Sequence, residues 1–192
     1  MEFLQRRTTL LPGFFAAGGG SLLLLACAPP VIFPAEILDT VDHGATVEQV
    51  LKRPGNYTGR VVEFGGQIVG SIVDREEVVM LVRALPIETK PVYGPVDRDE
   101  KRGIFVIRYR GNVGQQDLQH GNMVVVIGPV IGATVSNLTE VPVSRPSVKA
   151  QCFHIWRTQG RQIRDFPYGQ NFTPLVQQTY CADRSNTILT TT

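Results

Sequence analysis

The stretch after Gly59 constrains the fold most, because its apolar period is two. Val62, Phe64, Gly66 and Ile68 fall on one side, and Glu63, Gly65 and Gln67 on the other. That spacing is the mark of a half-buried strand. Gly65-Gly66 gives the strand no side chain to pack in its middle, so the pair marks a bulge, a sharp bend or the close approach of another backbone. A small closed sheet needs bends of this kind. Four more apolar runs follow at 78–85, 104–110, 123–131 and 148–156. In the run at 104–110, Phe105, Ile107 and Tyr109 share one face, while Arg108 and Arg110 share the other. Pro129 cannot donate to a ladder, which argues for an edge or a bend in the run at 123–131.

Around these runs the chain reads as connections. Thr46-Val47-Glu48-Gln49 fits a capping box, and Val47, Val50 and Leu51 form one apolar face of a short helix that Pro54-Gly55 ends. Asp74-Arg75 is expected to turn, and 86–102, with Pro86, Pro91, Gly94 and Pro95, to form a long exposed loop. The polar stretch 111–121 has room for one helical turn around 115–118. Trp156 is expected at the rim of the core. A short helix, three strands, an irregular link and two more strands give an all-β fold, specifically a small five-stranded OB-like barrel, a partly open Greek key. A small sandwich is the rival. Tight curvature at Gly65-Gly66 and Gly128-Pro129 favours the barrel.

The N-terminus speaks to location. Arg6-Arg7 precede an uncharged apolar stretch from Leu10 and small residues before a cut, the order of an export signal. Leu24-Leu25-Ala26-Cys27 resembles the lipobox of bacterial lipoproteins, in which the cysteine is lipidated and becomes the new N-terminus. Residues 1–26 are therefore expected to be removed and Cys27 to carry lipid. A buried methylene contributes about 0.8 kcal/mol and a single acyl chain binds only marginally; the resemblance implies three chains. A membrane-spanning helix is disfavoured, since Pro12 and Gly18-Gly19-Gly20 interrupt a stretch shorter than the roughly 20 apolar residues that spanning needs. Residues 27–37, with Pro29, Pro30 and Pro34, read as a tether. Residues 38–156 read as the barrel domain and 157–192 as an irregular extension. An exported chain meets an oxidising compartment, where a disulfide is the simplest use of Cys152 and Cys181.

Composition excludes more than it suggests. The net charge is +2 before cleavage, and the signal removes Glu2, Arg6 and Arg7, so the mature chain is nearly neutral. That gives no electrostatic case for nucleic acid. Phe105 and Tyr109 lie on the opposite face from Arg108 and Arg110, so they fill the barrel and do not stack bases. His43, His120 and His154 are scattered. Cys152, His154 and Cys181 lack a fourth ligand and the spacing of a zinc module. Ser71 and Ser136 sit in no nucleophile elbow. Glu76-Glu77 and the acidic 97–100 stretch read as solvated turns. No catalytic residue, cofactor or metal is expected.

The ordered set Pro54-x-x-Tyr57-x-Gly59-x-Val61-x-x-x-Gly65-Gly66-x-Ile68, then Leu85-Pro86, Gly103-x-Phe105 and Gly121-x-x-Val124-x-Val126-x-Gly128-x-Val130-x-Gly132, resembles the Slp family of starvation-inducible outer-membrane lipoproteins. The resemblance covers about Cys27 to Trp156. Val141-Pro142-Val143-Ser144-Arg145-Pro146 departs from the family's Tyr-Pro-rich stretch, and no counterpart is assigned to the tail with Cys181. The resemblance implies a lipoprotein of the outer membrane facing the periplasm, and implies no activity. The reading adopted is a non-enzymatic protein with a structural or protein-binding role in the envelope, under stress as the family name implies, with an envelope protein as partner. Ala28 after the cysteine favours the outer over the inner membrane by lipoprotein convention. A periplasmic module binding a peptide, sugar or small molecule on the barrel face is the alternative; a site assembled from distant residues is the enzyme reading. Oligomeric state stays open. Replacing Cys27 with serine should abolish incorporation of labelled fatty acid and leave uncleaved or soluble protein; normal labelling would refute the anchor.

Overall fold

The computed structural model describes residues 32–75, 77–90, 92–97, 103–136, 143–161, 166, 168–169 and 173–182. In chain order these contain helices α1 (Ala35–Leu38) and α2 (Val47–Lys52), a 3-10 turn at Pro54–Tyr57, and a series of strands. The strands are β1 (Val61–Asp74), β2 (Glu77–Leu85), β3 (Ile87–Glu88), β4 (Gly94–Pro95), β5 (Ile104–Arg110), β6 (Met123–Ser136), β7 (Val143–Lys149), β8 (Cys152–Trp156) and β9 (Gln177–Cys181). Cys27 and the cleavage region lie outside the described residues.

The all-β expectation holds. β1, β2 and β5 form an antiparallel meander, turning between β1 and β2 at Arg75, whose φ of 53° supplies the left-handed step without glycine. β6 returns antiparallel to β1, β7 hairpins onto β6, and β7 then runs parallel to β5. The five strands thus close in the order β1-β2-β5-β7-β6 and back to β1. Alternation decides what enters the ring. Val62, Phe64, Ile68, Val78, Met80, Val82, Phe105, Ile107 and Tyr109 face inward and share one buried cluster. Phe64 and Phe105 meet edge to face at 5.6 Å. The capping box forms as expected, with the Thr46 N–H donating to Gln49 Oε1 at 3.1 Å and the Gln49 N–H to Thr46 Oγ1 at 3.4 Å. A helix this short needs docking to persist; Val50 is fully buried in the ring's core, with Val47 and Leu51 packed beside it.

The two glycine motifs mark places where backbones crowd. A Cβ on Gly66 would come within 2.4 Å of the Arg83 carbonyl oxygen, and one on Gly128 within 2.0 Å of that of Lys149. At the glycine pair it is the close approach that occurs; the register of β1 slips further on, between Ile68 and Gly70. The chain between β7 and β8 turns a corner over Gly128, and Gln151 N–H closes it on the Ile127 carbonyl at 2.9 Å. That corner corrects the expected fifth strand. The run at 148–156 is two strands, the end of β7 and all of β8. The ring's fifth strand starts at Val143, in a polar stretch that shows no apolar alternation.

β8 lies beside Met123–Ile127 of β6, outside the ring, and β9 beside β8. This part of β6 therefore buries both faces. Val124 and Val126 point into the ring, while Met123, Val125 and Ile127 join an outer cluster with Phe33, Ile37, Leu85, Cys152 and Trp156. Trp156 is only 1% exposed, inside this outer layer and not at a rim; the residues around Phe33, with Tyr93, Phe166 and Leu175, cover what would have been an open face. The stretch read as a tether is packed from Phe33, and the stretch read as an irregular tail contains β9. The expected open loop is likewise partly ordered. β3 pairs with β4, Val96 N–H donates to the Pro86 carbonyl at 3.0 Å, and the Tyr93 hydroxyl donates to Glu63.

Cys152 and Cys181 face each other across β8 and β9 and are joined in a disulfide, Cα to Cα 4.0 Å, closing a loop of 29 residues. In the chain-entropy account such a loop stabilises by roughly 3–4 kcal/mol. The double variant Cys152→Ala/Cys181→Ala should lose about that much folding free energy by urea titration; an unchanged midpoint would mean that β9 is held by its hydrogen bonds alone.

Candidate docking face

Residues on β2 and β5 that do not enter the ring face outward. The register sets Leu81 beside Val106, and Val106 beside Ser147 of β7; Val79 sits between Ile72 and Arg108. Leu81 and Val106 are only 3% and 2% exposed although they point away from the ring's core. Charged groups rim them. Arg83 grips both Asp97 oxygens, at 3.1 and 2.9 Å, and donates to Gln67 Oε1 at 2.8 Å. Arg108 holds Glu77 with two hydrogen bonds, one of 3.1 Å from Nε. These bonds keep the Glu77 carboxyl below its ordinary range, against the opposing effect of burial.

Two hairpins bracket this face. The β1–β2 turn stands at the Glu77/Arg110 end. Because β7 runs parallel to β5, the β6–β7 hairpin stands at the other end, near Ile104. The tips are apolar and open. Ile72 and Val73 are 47% and 60% exposed on the first, and Val135 and Val143 are 59% and 39% exposed on the second; Ile131, 42% exposed, lies at the base of the second beside its register shift. Counting residues along β2, the two apolar ends lie roughly 20 Å apart.

A buried polar network, which sequence reasoning missed, ties the link between β5 and β6 to the C-terminal strands. Asp117, 2% exposed, accepts from Arg157 Nε at 2.6 Å and from the Tyr180 hydroxyl at 2.6 Å. Tyr180 Oη in turn accepts the Gly114 N–H at 3.2 Å, and its ring stacks on Phe153 at 5.0 Å. Asn122, fully buried, donates to the carbonyls of Gln116 and Asp117 at 2.8 and 3.0 Å. The stretch 115–118 is a pair of overlapping turns and not a helical turn. The one hint in the sequence was Tyr180 beside Cys181, since any disulfide to Cys152 carries that tyrosine to the sheet.

None of this resembles a reaction centre. His43 and His120 are exposed on separate connections. His154 is buried, with Nδ1 2.7 Å from Thr179 Oγ1 and Nε2 3.1 Å from Gln177 Oε1. Burial pushes it below its ordinary value, and the Gln177 bond opposes this. The disulfide occupies both sulfurs of the set Cys152, His154 and Cys181, and among the described residues no other cluster could hold a metal. Ser71 donates to the Leu118 carbonyl at 2.8 Å, a structural bond. Phe105 and Tyr109 fill the ring, at 0% and 6% exposure, and Arg108 is engaged by Glu77, so no aromatic and basic surface for bases exists on β5.

A family profile described as outer membrane lipoprotein Slp family matches residues 24–182. The chain belongs to this family. The match begins at Leu24 of Leu24-Leu25-Ala26-Cys27 and runs past Trp156 through β9 to residue 182, so the first part of the C-terminal extension and both disulfide cysteines fall within it, which corrects the shorter extent read from the sequence. Membership places the protein at the outer membrane and implies anchoring through lipid. No curated protein and no solved structure gives a significant match.

The polar network makes a pH prediction for this Slp protein. Burial alone would raise the Asp117 carboxyl, but the bonds from Arg157 and Tyr180 outweigh it and hold it below the ordinary value. A carboxylate depressed in the folded state contributes stability above its unfolded value, and that contribution is lost as pH falls through the folded value. Urea midpoints should therefore fall more steeply below about pH 4 in the wild type than in Asp117→Asn. Tyr180→Phe should cost about 1.5 kcal/mol at neutral pH, as for a hydrogen bond to a charged group. Parallel pH curves would refute the role given to Asp117.

Proposed function

We propose that this protein is a non-enzymatic lipoprotein of the outer membrane, attached at Cys27 and facing the periplasm, whose work is to hold an envelope protein on the face between its two hairpins. The family resemblance implies that it serves under starvation or related stress. One observation carries the docking role. Of the seven large apolar side chains left exposed among the described residues, five, Ile72, Val73, Ile131, Val135 and Val143, belong to the two hairpins, and Tyr168 and Val176 lie elsewhere. Soluble surfaces seldom gather such groups without a use for them.

Size separates this reading from a small-ligand module. Leu81 and Val106 are already covered between the hairpins, so the exposed apolar groups lie at the two ends of the face. A span of roughly 20 Å is wider than a pocket-bound small molecule, but suits a protein interface of about 800 Å² per partner. A photo-crosslinking amino acid placed at Ile72 or Val143 of the full-length lipoprotein, both on the outward side of their strands, in starved cells, should trap a discrete envelope protein. The same group at His43, exposed and away from both hairpins, should not. Absence of adducts at both hairpins would refute the docking role.

A further inference from the structure

The charges on the face between the hairpins are lopsided. β2, β5 and β7 carry five cations, Arg83, Arg108, Arg110, Arg145 and Lys149, and one carboxylate, Glu77. Alternation turns these side chains outward, because Val78, Val82, Ile107, Tyr109 and Val148 fill the ring. Two of the cations are neutralised within the face, Arg83 by Asp97 and Arg108 by Glu77. Arg110 and Lys149 are exposed and form no ion pair among the described residues. Asp74, register partner of Glu77 on β1, is exposed at the tip of the first hairpin.

The unpaired cations stand together. Lys149 is the register partner of Arg108, and Arg110 that of Glu77. The Glu77 carboxyl feels all of them. Its bonds from Arg108 hold it below its ordinary range against burial, and the charges of Arg108, Arg110 and Lys149 add to the effect. One carboxylate thus serves three cations. The register also joins them to the apolar end of the face. Ile72, Val79, Arg108 and Lys149 form one row across β1, β2, β5 and β7, about 15 Å long at ordinary strand spacing. Toward the second hairpin, Arg145 Nε is buried and meets no acceptor among the described residues. An N–H left in that state is costly, and an acceptor brought by a partner would satisfy it.

We propose that this face takes an acidic segment of an envelope protein, with carboxylates set against Arg110 and Lys149 and apolar side chains against the hairpin ends. The proposal rests on the docking role given above and supplies the partner's chemistry. An anionic bilayer fits less well. Lipid recognition gathers roughly four to eight basic residues, whereas three here are unpaired, and Asp74 stands beside the apolar tip that a bilayer would have to admit. Charges at the exposed edge of an interface act mainly on the rate of association and its salt dependence. Arg110 and Lys149 therefore gather the partner, and the apolar hairpins retain it.

Charge substitutions test the chemistry, with p-benzoylphenylalanine at Val143 of the full-length lipoprotein as the probe in starved cells. The protein segment it traps should contain more Asp and Glu than Lys and Arg. Arg110→Gln/Lys149→Gln should lower the adduct yield severalfold, and Arg110→Glu/Lys149→Glu about tenfold. Lys90→Glu/Arg161→Glu makes the same change in net charge at exposed positions outside the named strands, and should leave the yield unchanged. Matching urea midpoints of the purified variants separate a lost contact from a lost fold. Wild-type yields in both Arg110/Lys149 variants would overturn the acidic partner and leave the docking face standing. Adducts with phospholipid in place of protein would overturn it in favour of the bilayer. No adduct in the protein without charge substitutions would remove the docking face and, with it, the proposal.

Discussion

One strand makes the rest of the structure possible. Residues Met123–Ile127 of β6 are flanked by β1 and β8, and beyond Val130 the same strand takes β7 as its partner. Without that change of partner the ring could not close and β8 would have nowhere to pair. Pro129 sits at the handover. Its missing N–H costs least there, because the ladder to β8 has ended at Ile127 and the ladder to β7 starts at Val130. Gly128 beside it leaves room for the Lys149 carbonyl at the corner where the chain leaves one ladder for the other.

The same strand divides the protein into two cores. The inner cluster is the ordinary outcome of alternation on a closed sheet. The outer one exists because β6 is apolar on both faces and must be covered twice. Three separate pieces do the covering, namely the chain around Phe33, the β3–β4 ribbon, and the segment leading into β9. The disulfide holds β9 on β8, and Asp117 binds the link between β5 and β6 to Arg157 and Tyr180 at the same edge. Part of the polar chemistry of the described body thus holds its late strands in place, while Arg83–Asp97 and Arg108–Glu77 lie on the outward side of β2 and β5.

This arrangement bears on what the protein does. The buried titratable groups are engaged by partners fixed in the fold: Asp117 by Arg157 and Tyr180, His154 by Thr179 and Gln177. The large apolar groups left exposed lie mostly on the two hairpins.

What could be read along the chain was what short-range rules decide. The inward Phe105 and Tyr109, the Thr46/Gln49 capping box, the close backbone approach at Gly65-Gly66, the turn at Arg75 and the all-β class all follow from period, sterics and local hydrogen bonding. The ordered glycines and apolar residues from Pro54 to Gly132 also carried the Slp resemblance. Tertiary structure alone decided that polar Val143–Lys149 is a ring strand, that Trp156 is a core residue, that the chain is packed from Phe33, and that Asp117 meets Tyr180 63 residues away. Each of these depends on a partner distant in the sequence: a strand recruited by β5 and β6, or a side chain buried by a segment that arrives later. Local patterning cannot encode a contact whose other half lies elsewhere in the chain.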